Sequence, residues 1–101
     1  MKHRLELQNL LEQTLGSRNV YFQPPTGLQI KYPCIVYGLN NYRNSHANNG
    51  VYKQDDCYSI TIIDEDPESE IVDKVSFFPK CTFNNHFVTD GLYHTVFTIY
   101  Y

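Results

Sequence analysis

Leu7, Leu10, Leu11 and Leu15 recur at intervals of three, four and eight from the first, with polar residues between them. That spacing lines one face of a helix and predicts a helix over about 3–15, with Gly16 as the left-handed residue that ends it. Val20-Tyr21-Phe22 is a short strand candidate, stopped by Pro24-Pro25 and the Thr26-Gly27 turn. Residues 32–39 form a nearly unbroken apolar run, the pattern of a strand covered on both faces and set centrally in a sheet. From Cys57 to Asp64 the chain alternates, with Tyr58, Ile60 and Ile62 on one side and Ser59, Thr61 and Ile63 on the other. Asp64-Glu65-Asp66-Pro67 then marks a helix start, with Asp66 expected as N-cap, Pro67 in the first helical position and Glu68 in the first turn. Ile71, Val72, Val75 and Phe78 supply its apolar face, and Pro79 closes it. Two further strands, about 81–88 and 92–101, flank Asp90-Gly91, a strong hairpin signal.

The order α-β-β-β-α-β-β predicts an α+β fold: a four- to five-stranded, mostly antiparallel sheet with two helices packed on one face. Residues 1–101 read as a single domain carrying one long loop, 40–54. The face away from the helices is expected to carry Tyr and Thr. With nine tyrosines in the chain, that face reads as a contact surface.

Loop 40–54 stands apart. It holds five Asn, one Ser, one Gly, Arg43, His46 and two tyrosines, without a clean period. A loop of this length in so small a domain is functional or disordered, and Tyr42 and Tyr52 give it two anchors for a surface that orders on meeting a partner.

At 101 residues the chain has room for one core, and folding buries roughly two-thirds of the unfolded surface. A net charge of -3 argues against a protein that binds nucleic acid by neutralising phosphates. No apolar run approaches the roughly 20 residues of a membrane helix. Met1-Lys2-His3-Arg4-Leu5-Glu6 begins basic but enters an amphipathic segment, so it does not read as a secretory signal. Cys34, Cys57 and Cys81 are an odd, widely spaced set, expected as free thiols in a reducing compartment.

Little in the chain points to chemistry. Cys81, His86 and His94 are the closest metal-ligand group, but in a regular strand Cys81 and His86 fall on opposite faces, and two imidazoles are an incomplete zinc site. No cysteine stands at a helix N-terminus, and no nucleophile elbow or phosphate loop occurs. The expectation is therefore no catalytic residue, no metal and no cofactor. One charge feature remains: Asp64, Glu65, Asp66, Glu68, Glu70 and Asp73 place six of the eleven acidic residues within ten positions. Capping of the second helix accounts for part of it; a carboxylate surface is the sharper alternative.

Tyr32-Pro33-Cys34-Ile35-Val36-Tyr37, Tyr58 through Asp64 with Asp66-Pro67-Glu68-Ser69-Glu70-Ile71, and Phe83 through Tyr101 together resemble the small tail terminator and tail completion (head–tail joining) proteins of long-tailed bacteriophages. The resemblance implies a structural virion protein in the tail or neck, assembled in the host cytoplasm. It would form a homo-hexameric ring on the head-proximal end of the tail tube, ending tube growth. Its partners would be its own copies, the tail tube protein and the head–tail connector or stopper protein, with no membrane. Viral DNA would pass through the lumen without specific binding. On this reading Tyr42, Arg43, His46, Asn48 and Tyr52 are candidates for subunit contacts, and Asp64, Glu65 and Glu68 for a lumen-facing acidic surface. An alternative of another class is a small phage-encoded inhibitor that binds a host protein through the acidic helix; a third is a thiol or metal enzyme built on Cys81 and the histidines.

Overall fold

The computed structural model describes residues 4–24, 27, 29–40 and 57–101. The elements run α1 (Arg4–Leu15), β1 (Val20–Phe22), β2 (Cys34–Leu39), β3 (Cys57–Asp64), α2 (Glu70–Ser76), β4 (Cys81–Thr89) and β5 (Leu92–Tyr100). The five strands form one sheet in the order β1-β2-β3-β5-β4, with β1 parallel to β2 and every other pairing antiparallel. This is the α+β architecture expected from the hydrophobic pattern.

Both helices bury their apolar faces against the same side of the sheet. Leu7 and Leu11 from α1 and Val75 from α2 are fully buried in one cluster with Ile35, Tyr37, Tyr58, Ile60, Ile62, Phe97 and Ile99. Leu10, Leu15, Ile71, Val72 and Phe78 pack around it, so the helical spacing of these residues is what positions both helices. The pairing aligns core residues in a row across the strands, Tyr37 beside Ile60 and Ile60 beside Phe97, with the exposed Phe83 at its β4 end.

Several local features follow from the backbone. Gly16 ends α1 at φ 83, its N–H donating to the Glu12 carbonyl at 2.9 Å, the left-handed stop that glycine takes without steric cost. Asp90 and Gly91 both take positive φ, 54° and 75°, and Thr89 pairs directly with Leu92, so the hairpin closes through a two-residue turn. The helix start differs from expectation. The N-cap of α2 is Ser69, whose Oγ accepts from the Ile71 N–H at 3.2 Å. Asp66 instead accepts from the Glu68 N–H at 2.9 Å, after Asp64 has accepted from the Asp66 N–H at 3.0 Å. Two successive side-chain-to-backbone turns thus carry the chain from the sheet to the helix layer before any helix begins.

The sheet also corrects one expectation about strands. β2 is interior but one place from the edge, and the central strand is β3. Cys34 and Ile35, consecutive in β2, are both fully buried, which is the two-sided cover that the apolar run implied. The face away from the helices carries threonine and tyrosine, as expected, with Tyr21 opposite Val36 and Tyr100 opposite Cys57. Tyr37 and Tyr58 are fully buried among the core residues on the helix side, and the other face presents Thr61, Val96 and Asn85 in one row and Ser59, Thr98 and Thr82 in the next. Tyrosine carries a large apolar ring, and Tyr37 and Tyr58 serve here as core residues.

Candidate assembly surface

Sheet geometry decides which polar and titratable side chains can meet. A bulge between Phe83 and Asn85 inserts Asn84 into β4, and its Nδ2 donates to Thr98 Oγ1 at 2.6 Å. The extra residue reverses the alternation beyond it. Cys81, opposite Ile99, and His86, opposite Thr95, therefore share the helix side of the sheet, contrary to the regular-strand expectation. They do not approach: Ile99 and Thr95 are four residues apart on β5, about 13 Å along the strand. His86 Nδ1 lies 3.0 Å from Thr95 Oγ1, and its ring stacks on Tyr93 with centroids 6.2 Å apart. His94 is opposite Phe87 and lies on the other face, its ring stacked on Phe87 at 4.7 Å, while Nδ1–H donates to the Leu92 carbonyl at 3.2 Å. Among the described residues, no group of three His, Cys, Asp or Glu is placed to hold a metal ion.

The cysteines are free. Burial pushes the Cys34 thiol from 9.0 to about 11, with the Asp64 carboxylate adding in the same direction, and burial raises that of Cys81 as well. A thiol held protonated in this way is a poor nucleophile at neutral pH.

The acidic candidates sit where β3 ends. Asp64 is half-buried and its carboxylate holds the turn described above; Glu65 and Glu68 are exposed. The proposed contact residues Tyr42, Arg43, His46, Asn48 and Tyr52 lie outside the described residues. The described residues on either side of them meet, the Asn40 N–H donating to the Cys57 carbonyl at 2.9 Å. Asp64 and Cys57 are the two ends of the eight-residue β3, about 24 Å apart.

The feature that sequence reasoning missed is the sheet edge formed by β4. Every residue from Thr82 to Thr89 is exposed. Phe83 is 56 %, Val88 54 % and Phe87 43 % exposed. The nine residues of β4 include no charge and no proline, two of the devices by which proteins keep a strand edge from pairing with another chain. The bulge at Asn84 blunts only the first third, which leaves Asn85–Thr89 in continuous register with β5.

The opposite edge is closed. β1 has three residues, and α1 lies along it. The Arg4 guanidinium sits 4.7 Å from the centre of the Phe22 ring, and Gln8 Nε2 donates to the Val20 carbonyl at 3.2 Å. The same amide accepts from the Tyr37 hydroxyl through Oε1. Past the end of the strand, Gln23 folds over β2: its N–H donates to the Tyr37 carbonyl at 2.8 Å, and its Oε1 accepts from the Leu39 N–H at 3.0 Å. Gly38 makes room for this, since a Cβ there would stand 2.8 Å from Gln23 Cγ.

The fold therefore leaves one long strand edge exposed and covers the other. No helix among the described residues is long and apolar enough to cross a membrane. Comparison with protein-family models, with curated proteins and with solved structures finds no match to this chain.

Proposed function

We propose that this chain is a structural assembly protein of a bacteriophage neck, acting as a ring at the head-proximal end of the tail tube and joining the tail to the head connector. The observation that carries the reading is the β4 edge: a nine-residue, uncharged strand, exposed from Thr82 to Thr89, is suited to extension by another protein's backbone. The predicted element order and the three stretches that resemble tail terminators support the same reading. The proposed job is mechanical. It needs surfaces that lock to the tube, the connector and neighbouring copies, and no reacting groups.

The test is quantitative mass spectrometry of purified phage particles carrying this chain. About six copies per particle are expected for one closed ring of head-to-tail contacts. Absence from the particle overturns the tail reading and turns attention to a host protein captured through the acidic segment.

A further inference from the structure

An unpaired strand edge is completed by another extended backbone, and this chain supplies a matching one. A second copy cannot offer β1, because that edge is three residues long and α1 and Gln8 lie against it. β2, β3 and β5 are flanked on both sides. Among the described residues, the strand edge that a second copy presents is β4 itself. Charge favours the same meeting. Two chains of net charge -3 repel on average, but β4 carries no charged residue, so copies can approach there without like charges facing.

Resting on the reading of β4 as the assembly surface, we propose that the free chain caps this edge by pairing β4 with β4 of a second copy, antiparallel about a twofold axis through Phe87. The bulge sets the register. The regular stretch Asn85–Thr89 overlaps itself fully only when centred on its middle residue. That register places Phe87 opposite the second copy's Phe87, His86 opposite its Val88, and Asn85 opposite its Thr89. The two Phe87 rings meet on the face away from the helices, and His86 and Val88 meet on the helix face, so each alternation is preserved across the joint.

The contact is small. Five residues span about 17 Å, and with a sheet about 10 Å deep the edge covers roughly 170 Å² per copy before side chains are added. Stable pairs bury about 800 Å² per partner. The pairing is therefore weak and reversible. It is also isologous, so it closes at two copies and cannot be the head-to-tail contact of a six-membered ring. Its consequence is regulatory: the edge stays occupied in the free chain, and a tube or connector strand takes it by displacing the second copy.

The register is tested with the full chain in a Cys81→Ser background, comparing Phe87→Cys with Thr82→Cys under oxidised glutathione. Phe87→Cys is expected to form a covalent dimer whose yield rises with protein concentration, because residues directly opposite in an antiparallel pair have Cα atoms about 4.5–5.5 Å apart, within disulfide reach. Thr82→Cys, exposed on the same strand but past the overlap, is expected to stay monomeric. Equal yields at both positions, or none at Phe87→Cys, overturn the proposal. Sedimentation of the unsubstituted chain guards against a misfolded variant: its mass should move from one copy towards two on concentration, and a mass fixed at one copy overturns the pairing. Six copies per particle without cross-linking would sink this inference and leave the ring reading standing. Cross-linking with no copies in the particle would do the reverse.

Discussion

At one edge of the sheet, β1 is three residues long and the chain covers it twice, with α1 alongside and Gln23 folded across its end. At the other, β4 runs nine residues with Phe83, Phe87 and Val88 exposed and no charge along its length. Both edges present the same chemical problem, a row of backbone donors and acceptors seeking partners. One is settled within the chain, by side-chain amides that replace missing backbone partners. The other is left exposed from Thr82 to Thr89. The difference shows that the uncovered edge is not a general poverty of cover in a small domain, because the same sequence spends a helix, a glutamine and a glycine to close its shorter edge.

The largest expected effect comes from breaking the closed edge. Gly38→Val drives a branched side chain into Gln23, whose Cγ lies 2.8 Å from where the first carbon would stand. Displacing Gln23 removes its bond to the Leu39 N–H. Urea denaturation should report a loss of about 1–3 kcal/mol, the usual cost of overpacking. Unchanged stability would mean that the Gln23 fold-over contributes nothing to the edge. At the uncovered edge the expectation is the opposite. Val88→Lys adds a charge to an exposed strand position, so stability of the single copy should shift by no more than about 0.5 kcal/mol. Its effect should appear in association, since an edge lysine is a standard block to strand addition. If Val88→Lys unfolds the chain as readily as Gly38→Val, the two edges are not different in kind.

Much of the fold was legible in local signals. The leucine spacing located α1, Asp90-Gly91 located the hairpin, and the alternation of 57–64 located β3, because each depends on a short window of sequence. What escaped depends on partners distant along the chain. Asp66 followed by Pro67 carries the local signature of a helix start. The path from β3 to the helix layer instead uses Asp64 and Asp66 for turns and leaves Ser69 at the cap. The bulge at Asn84 has no local signature in Asn84-Asn85, yet it reverses which side His86 occupies. The contact surface was sought in tyrosines and in loop 40–54, by composition. Tyr37 and Tyr58 fill the core, Tyr42 and Tyr52 lie outside the described residues, and the exposure of β4 has no signature in composition. Composition cannot distinguish an edge strand from an interior one, since that depends on strand order, which β3 and β5 set by pairing from Asp64 with Tyr93 out to Cys57 with Tyr100.

The most direct measurement is native-state hydrogen exchange on the full chain, read separately for 20–22 and 81–89, at about 10 µM and again near 1 mM, a span chosen to bracket a weak pair. The β1 amides should exchange at the same rate in both, because their cover lies within the chain. The β4 amides should exchange faster in the dilute sample and gain protection in the concentrated one. Protection of β4 that is already high and independent of concentration, or equal responses at the two edges, would contradict the account.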